Sequence, residues 1–425
     1  MSNRQPLALA IAALVLSTSA HAITDTESLA GAQFNFANPG ARSLAMGGAF
    51  IALADDATAA IANPAGLMQL SSTQVSFEIR ASAYDTPFVS GGSYSINPLN
   101  RSNLTFGSSS ERENGIGFAA FTRPGERFSW SIFYHQLGAF SNNLANSGVR
   151  LTEFSPTAIF IDPYTAQLEY KVAGFGAAAA TKLGDKFLIG FNVASYTFDF
   201  DSRRTQFSSA LPNQPVRNTI SEKDSDSRDL GFGVGILFKP TDEFSIGLNY
   251  SRAPEFEYQS TLTDTQNNRR SALASFNVPG RFSVGAAYRA SEALTFSFEA
   301  SRIEYSTLAE KPTSAFVVQP DFEADNGTEL RLGLEYVLLN MQRPLSLRAG
   351  VWRDPAHRVF ARDPRASNID ERAAQSINWA LFTPGKDQTH GSLGFGWAFE
   401  TFQLDFGADF SKEYDTFAVS GVWRF

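Results

Sequence analysis

Residues 40–67 read GARSLAMGGAFIALADDATAAIANPAGL, the only long run of the chain after its first residues that consists mostly of small and aliphatic side chains. Gly47 and Gly48 permit a backbone turn that a Cβ atom would hinder. Asn63-Pro64 ends a short helix, because the residue before a proline is disfavoured in the α conformation. The run therefore predicts a compact segment of short helices and turns that packs inside a larger structure.

The order of these small residues resembles the N-terminal hatch of the FadL/TodX family, outer-membrane transporters of hydrophobic compounds. The resemblance is carried by residues 40–42, 46–49, 54–57 and 63–67, with Gly47, Gly48, Asn63, Pro64 and Ala65 as the hatch motif. It implies an all-β fold, a transmembrane antiparallel β-barrel of about 14 strands with a small N-terminal helical hatch in its lumen. PorV-like outer-membrane proteins share a similar run, so an interaction partner in protein secretion is the alternative.

The function that the resemblance implies is uptake of hydrophobic molecules, either long-chain fatty acids or aromatic hydrocarbons. Outer loops would capture the molecule, an apolar lumen pocket would receive it, and movement of the hatch would release it. In the family, release can also run sideways through a gap in the barrel wall. The barrel would contact outer-membrane lipid and lipopolysaccharide. A porin for polar solutes is a further alternative, but it needs an open lumen, and a hatch argues against one.

The N-terminal residues are typical of an export signal. Arg4 supplies a positive charge, residues 7–16 form an apolar core too short to span a bilayer, and Ala20-His21-Ala22 is a small-x-small cleavage site. An export signal agrees with what the resemblance implies, a protein of the outer membrane of a Gram-negative bacterium. Its expected parts are a signal peptide (1–22), a hatch (23–70) and a transmembrane barrel (71–425).

Composition supports a barrel and argues against other classes. The chain has 38 Phe and 32 Gly but no Cys, and charged residues make up 18%, below the usual quarter. The formal net charge of −8 argues against a nucleic-acid partner, which would need a basic face. No segment has the long apolar run of a membrane-spanning helix.

Alternation with a period of two predicts the strands. Phe402, Leu404 and Phe406 fall on one face of their segment, and Gln403 and Asp405 fall on the other. The same split recurs along the chain and predicts these strands: 72–84, 115–123, 127–137, 164–181, 186–203, 228–240, 243–258, 278–290, 293–305, 327–339, 344–353, 389–398, 401–412 and 415–425. Long links, among them 85–114, 138–163, 204–227 and 259–277, alternate with short turns, as in outer-membrane barrels.

The chain ends on an alternating strand whose last residues include Trp423 and Phe425. A terminal Phe in this setting resembles the signal that the barrel-assembly machinery recognises. We therefore expect that machinery to be a partner during biogenesis.

Apolar residues of the hatch and of one loop are candidates for contact with a hydrophobic ligand. The candidates are Phe34, Phe36, Met46 and Phe50 in the hatch, and Phe154, Ile159 and Phe160 in a loop. The alternative for the hatch residues is packing against the inner wall. The alternative for the loop residues is packing on neighbouring loops as a lid.

Polar residues of the predicted lumen have structural and functional interpretations. The Asn63 amide could hold the hatch against a lumen charge, or it could cap a turn before Pro64. Asp55 or Asp56 could cap a short helix over residues 57–62. Inward-facing charges should form a satisfied polar ladder, since unpaired charges are costly. The ladder candidates are Asp405, Asp409, Arg331, Glu335, Arg348 and Arg289.

The sequence gives little support to an enzyme. Ser131 and His135 share one strand face, but a rise of about 3.3 Å per residue places them roughly 13 Å apart, too far for a hydrogen bond. We see no metal-ligand cluster, phosphate loop or dinucleotide motif, and we predict no catalytic residue, metal or cofactor.

Overall fold

The structure of the chain is a computed structural model that describes residues 38–95, 100–152, 159–208, 217–308, 322–362, 379 and 382–425. The chain forms a closed antiparallel barrel with 14 wall strands. Residues 38–70 lie inside the barrel and are called the hatch segment below. The fold class predicted from the sequence is confirmed.

The barrel closes where its first and last strands pair, with Gln74 opposite Arg424. Two wall strands consist of two pieces each, β9 with β10 and β11 with β12, and β4, β5, β14 and β17 are short strands at the long-loop end. The strands are β1 (Gln74–Tyr94), β2 (Asn103–Arg123), β3 (Phe128–Asn146), β4 (Val149–Leu151), β5 (Ile159–Ile161), β6 (Tyr164–Leu183), β7 (Phe187–Ser208), β8 (Arg217–Phe238), β9 (Phe244–Arg252), β10 (Glu255–Thr263), β11 (Arg269–Asn277), β12 (Arg281–Arg289), β13 (Leu294–Ile303), β14 (Phe322–Glu323), β15 (Gly327–Leu338), β16 (Leu345–Asp354), β17 (Phe360–Ala361), β18 (Gln388–Ala398), β19 (Phe402–Phe410) and β20 (Tyr414–Arg424).

Side chains alternate across the wall as the sequence predicts. On β19, Asp405 and Asp409 are buried inside the barrel, whereas Phe410 is exposed on the outer face. Leu332, Phe175 and many other large apolar side chains are also exposed on the outside. In an outer-membrane barrel such a band faces lipid, and the polar residues face the lumen.

Several wall strands are longer than the alternation predicts. β7 runs to Ser208 and β8 begins at Arg217, so the predicted link 204–227 is mostly strand. The predictions of links 85–114, 138–163 and 259–277 were wrong in the same way. In β7 and β8 both faces of this extension are mostly polar, so the apolar alternation ends where the backbone ladder continues. The ladder itself needs no apolar face.

Two neighbouring wall strands are interrupted at prolines. Ala253-Pro254 separates β9 from β10, and residues 278–280, which include Pro279, separate β11 from β12. Proline has no N–H group to donate to a ladder, and it restricts the residue before it. The backbone N–H of Val278 donates to the Pro254 oxygen at 3.2 Å, so the two interruptions are adjacent.

The hatch segment consists of two short α-helices, α1 (Ala41–Ala45) and α2 (Ala59–Ala62), and a 3-10 helix (Pro64–Gln69). The Asp56 carboxylate accepts from the Thr58 N–H at 2.8 Å, just before α2. This helix begins at Ala59, two residues later than the predicted start at residue 57. The Asn63 side chain accepts from the Ala65 N–H and caps the 3-10 helix. No helix in the described ranges is long and apolar enough to cross a membrane.

Eight inward-facing glycines of the wall, here called the glycine belt, contact the hatch segment. They form cross-strand pairs Gly190–Gly235, Gly247–Gly285, Gly333–Gly350 and Gly394–Gly407. A Cβ atom added at any of them would overlap with the hatch segment. A Cβ atom on residue 333, for example, would lie 2.6 Å from the Met46 carbonyl oxygen. The belt therefore lets the wall backbone lie directly against the hatch segment.

Candidate functional site

Charged side chains occupy the inner faces of β13, β15, β16, β18 and β19, here called the polar side of the lumen. Arg348 donates to Glu335 at 2.6 Å and to Asp405 at 2.7 Å. Arg42 of the hatch segment donates to the same Glu335 at 2.8 Å and also binds Asp55. A buried charge is tolerated only where partners compensate its lost hydration. The network does this and ties α1 to three wall strands.

A second charged group lies nearer the long-loop end of the polar side. Arg331 donates to the carbonyl oxygen of Gly47 at 2.8 Å, and its guanidinium lies 4.0 Å from the ring centre of Trp352. The Trp352 ring N–H donates to Asp409 at 2.9 Å, and His390 contacts the same carboxylate at 2.6 Å. Arg331 thus connects the turn at Gly47 to the wall. That turn uses a φ of +66° at Gly47, in the region that favours glycine.

The predicted polar ladder is present for five of its six members. Asp405, Asp409, Arg331, Glu335 and Arg348 are buried and bonded as described. Arg289 is exposed at the short-turn end of β12, and its inclusion was wrong. Its position past the hatch segment places it outside the network.

Wall side chains also hold the backbone of the hatch segment. Glu299 accepts from the N–H groups of Phe50 and Ile51 at 3.0 and 3.2 Å. The Asn63 amide donates to the Ile236 carbonyl oxygen of β8 at 3.1 Å, a backbone acceptor and not a lumen charge. Further wall-to-hatch bonds join Glu78 to Gly40, Ser392 to Ala45, Ser245 to Ala52, Asn192 to Ala60 and Lys239 to Gln69.

Aromatic side chains fill the lumen next to the polar side, from the inner faces of β1, β3, β6, β7, β10, β11 and β20. We call this group the aromatic stack: Tyr84, Phe140, Tyr170, Phe198, Phe200, Phe256, Phe276 and Tyr414. Phe198 and Phe276 are nearly parallel, with ring centres 4.8 Å apart. The stack and the hatch residues Leu67 and Met68 belong to one buried apolar cluster. The hatch segment therefore forms the floor of the aromatic stack.

A second apolar cluster, here called the lid cluster, covers the long-loop end. It joins strand ends and loops distant in sequence: Val89, Leu144, Val149, Leu151, Ile161, Tyr164, Ala166, Ala361 and Phe382. Ile161 is 1% exposed, so the loop that carries it packs against its neighbours. This favours the lid interpretation of the apolar loop for the part that the structure describes.

The barrel wall has a gap between β2 and β3. Their backbone ladder extends only from Arg123 opposite Trp130 to Phe118 opposite His135. Beyond it, β2 continues in its ladder with β1, and β3 continues in its ladder with β6. Residues 103–117 of β2 and 136–146 of β3 therefore face each other without a backbone ladder.

Side chains partly bridge this gap. The Tyr84 hydroxyl of β1 accepts from the Ser141 N–H at 2.7 Å, and Asn143 donates to Glu111 at 2.7 Å. Tyr84 also belongs to the aromatic stack, and Ile116, at the lower outer edge of the gap, is 44% exposed on the outer face. The gap therefore lies between the apolar interior and the outer apolar band.

The predicted hatch motif residues lie at contacts between hatch and wall, at Gly47, Gly48, Asn63, Pro64 and Ala65. Met46 and Phe50 are buried in a cluster with Ala52, Leu53, Ala62 and Ala287 of the wall. This is packing geometry, and their ligand contact stays a prediction.

Phe34, Phe36 and Phe154 lie outside the described residues. Ile159 and Phe160 belong to β5, but only their backbone is described.

The last strand presents both predicted assembly-signal residues on the surface. Trp423 is 51% exposed and Phe425 is 73% exposed, and the Phe425 N–H donates to Thr73 at the start of β1. Recognition by the barrel-assembly machinery stays a prediction.

Ser131 and His135 are engaged separately. Ser131 lies 2.8 Å from the Thr122 hydroxyl, whereas His135 lies 3.1 Å from the Tyr196 hydroxyl. Among the described residues, no group of three or more His, Asp or Glu side chains could hold a metal ion. This part of the lumen therefore offers hydrogen-bonded packing in place of a nucleophile and base pair.

Residues 20–416 match the family described as "Outer membrane protein transport protein (OMPP1/FadL/TodX)", and the chain belongs to this family. The family and the barrel place the protein in an outer membrane, and the family consists of transport proteins. No curated protein matches the chain.

Solved structures share the fold at low sequence identity. A Pseudomonas aeruginosa FadL homologue has a TM-score of 0.65 and 14% identity, with 91% of this chain and 98% of that chain covered. The Pseudomonas putida toluene transporter TodX has a TM-score of 0.58 and 13% identity, and the Ralstonia pickettii toluene transporter TbuX has a TM-score of 0.58 and 15% identity. For both, 92% of this chain and 99% of that chain are covered.

Sequence reasoning missed the aromatic stack, the glycine belt and the wall gap. The belt had a signal, because Gly247 and Gly333 fall on the same strand faces as the polar lumen residues. The stack and the gap depend on which residues of different strands lie opposite each other. That register is not visible in a single strand.

Proposed function

We propose that the protein takes up hydrophobic molecules across the outer membrane and that the aromatic stack is the site through which they pass. The observation that carries the proposal is the position of the stack. It lies between the lid cluster and the hatch segment, and Tyr84 connects it to the gap in the wall.

The stack favours aromatic hydrocarbons over long-chain fatty acids as cargo. Aromatic rings attract one another in offset-stacked and edge-to-face arrangements, beyond the effect of area burial. Phe198, Phe256 and Phe276 present such faces within about one ring diameter of each other. Two proteins with this fold, TodX and TbuX, are toluene transporters, which agrees with this choice.

The proposed route begins at the extracellular, long-loop end. Outer loops capture the molecule, the buried lid cluster opens to admit it, and the aromatic stack receives it. The molecule then leaves sideways through the gap between β2 and β3 into the membrane. Lipopolysaccharide hinders direct access of apolar solutes to the membrane, and a sideways exit avoids transfer through water, which is unfavourable for apolar surface.

Release by movement of the hatch, as the sequence suggests, is the second route. The glycine belt and the bonds from Arg331, Glu299 and Asn63 oppose it, because a shift of the hatch segment breaks all of them together. At the gap, only a few side-chain hydrogen bonds must open. The contacts of residues 38–70 therefore favour the sideways route.

The remaining expectations complete the proposal. Residues 1–22 act as the signal peptide, and the barrel-assembly machinery reads Trp423 and Phe425. Outer-membrane lipid and lipopolysaccharide surround the wall.

A PorV-like role in secretion is the rival function. The apolar stack inside the lumen favours transport over that role, because a partner protein would bind at the surface.

Binding and uptake measurements test the proposal. Purified, folded barrel is titrated with radiolabelled toluene and oleate, and uptake is measured in cells with and without the protein. We expect saturable toluene binding and expression-dependent toluene uptake, with weaker effects for oleate. A folded barrel that binds no hydrophobic ligand would overturn the proposal and favour the secretion partner.

A further inference from the structure

The wall is interrupted at a second place, between β8 and β10. β8 pairs with β7 along its whole length, from Arg217 to Phe238. On its other side it pairs with β9 from Phe232 to Phe238 and with β10 from Ile220 to Asp224. Residues 225–231 of β8 therefore have a ladder on one side only within the described chain.

The cause is local and lies in the sequence. Pro254 has no N–H group, and it begins the bend that separates β9 from β10. The adjacent bend at residues 278–280 allows β10 and β11 to lean together. β8 is a single strand without a break at this bend, so a space without a backbone ladder lies between it and the start of β10.

Three side chains of β8 fill this space in place of a ladder. Asp229 accepts from the Glu255 N–H at 2.8 Å, and Ser227 accepts from the Glu257 N–H at 3.2 Å. The Ser225 hydroxyl donates to the Glu257 carbonyl oxygen at 2.6 Å. These three bonds span residues 225–231, where a continuous ladder would place more backbone bonds, so fewer bonds must break for this seal to open.

The space has apolar surface on both sides of the seal. Outside, Leu230 and Tyr250 are 57% and 41% exposed at the upper part of the apolar band. Inside, Phe256 is fully buried and stacks on Phe198 with ring centres 5.2 Å apart. The aromatic stack is thus separated from the outer apolar band by a thin polar layer, as it is at the first gap.

We propose that this space is a second side opening, through which uncharged hydrophobic molecules pass between the membrane and the aromatic stack. The Asp229 carboxylate lies in it and the exposed side chains of Glu255 and Glu257 lie at its outer edge, so an anionic molecule such as a fatty acid carboxylate is repelled. The inference rests on the proposed function, since it concerns a further route to the same stack.

Reversible bridging of the opening tests the inference. The chain has no cysteine, so introduced thiols react without background. The double variant Asp226→Cys/Glu257→Cys, two exposed positions on the outer face that lie opposite each other, is bridged on cells with a short, reducible thiol cross-linker. The control Asp199→Cys/Asp226→Cys carries the bridge over an intact ladder between β7 and β8. A third variant, Glu111→Cys/Asn143→Cys, bridges the first gap.

We expect the bridge at positions 226 and 257 to remove part of the toluene uptake rate and reduction to restore it, with no effect of the control bridge. No change with this bridge, verified by mass spectrometry, would overturn the second opening. If the bridge at positions 111 and 143 still abolishes uptake in that case, the proposed function stands. If neither bridge changes uptake, both the second opening and the sideways route are overturned.

Discussion

The polar side and the aromatic side of the lumen solve different problems with the same strand geometry. On the polar side, buried charges such as Arg348 and Glu335 bind partners of opposite charge in a network that extends into the hatch segment through Arg42. On the aromatic side, rings such as Phe198 and Phe276 contact each other. One side fixes the hatch segment by directional bonds, and the other provides apolar surface with little directional bonding.

The difference teaches which parts of the lumen can rearrange. Ion pairs and backbone bonds are broken at a high cost when buried, whereas an aromatic contact can be replaced by a similar contact with a ligand. The wall follows the same division. Both interruptions, between β2 and β3 and between β8 and β10, border the aromatic stack, and neither borders the strands of the polar side.

The largest expected effect comes from breaking the polar side. Arg348→Met leaves Glu335 and Asp405 as buried carboxylates without this partner. Removal of one member of a buried pair costs about 3–5 kcal/mol. We expect a clear fall in thermal stability, measured by the loss of β-sheet circular dichroism on heating.

The matched control is Arg353→Met, because Arg353 pairs with Asp387 where both side chains are about half exposed. Exposed pairs contribute roughly 0–1 kcal/mol. Equal destabilisation by the two variants would contradict a special role of the polar side.

The glycine belt gives the next effect. Gly247→Val places side-chain atoms against Ile51 and Ala52 of the hatch segment. Overpacking of this kind costs about 1–3 kcal/mol. We expect a lower melting temperature and increased protease cleavage within residues 38–70. Gly391→Val is the control, since a Cβ atom there meets nothing within 4 Å. A variant at position 247 as stable as the control would show that the hatch segment is not seated on the belt.

A change in the aromatic stack should affect the binding of cargo more than it affects the stability of the hatch segment. Phe198→Leu removes ring contacts with Phe256 and Phe276 but keeps an apolar side chain. Since aromatic contacts contribute about 0.5–1.5 kcal/mol each, we expect toluene binding to weaken a few-fold. Phe191→Leu, on the outer face of the same strand, should leave binding unchanged. Equal weakening of toluene binding in both variants would show that the stack is not part of the binding site.

The smallest effect concerns a loop at the long-loop end. Burial lowers the pKa of His357, but the Asp354 carboxylate outweighs it and raises the pKa above its usual value. A raised folded-state pKa stabilises the protonated form, so this contribution is complete below the unfolded pKa and is lost as pH rises through the folded pKa. An NMR titration of His357 should show the raised pKa, and Asp354→Asn should lower it. An unchanged pKa in that variant would exclude the carboxylate as the cause.

The sequence predicts the barrel well because strand alternation is local. The alternation of Phe402, Leu404 and Phe406 with Gln403 and Asp405 places each side chain on its correct face. It also predicts that Arg348 and Glu335 face inward. It cannot predict that Arg348 binds both Glu335 and Asp405, because this requires the register of four neighbouring strands.

The absence of register information also explains which predictions were wrong and which features were missed. The extension of β7 and β8 beyond the membrane carries Asp201 opposite Asp224, a pairing that no hydrophobic pattern indicates. The gap between β2 and β3 is an absence of pairing, which single-strand patterns do not record. Pro254 was visible in the sequence, but its effect on the wall depends on its neighbour β8.

The central claim is that the hatch segment keeps its contacts with the wall while molecules leave through the gap between β2 and β3. The most direct measurement compares toluene uptake after reversible thiol bridging of two pairs, Ala45→Cys/Ser392→Cys between hatch and wall, and Glu111→Cys/Asn143→Cys across the gap. The account predicts normal uptake with the hatch bridged and lost uptake, restored by reduction, with the gap bridged. Lost uptake with the hatch bridged and normal uptake with the gap bridged would contradict it.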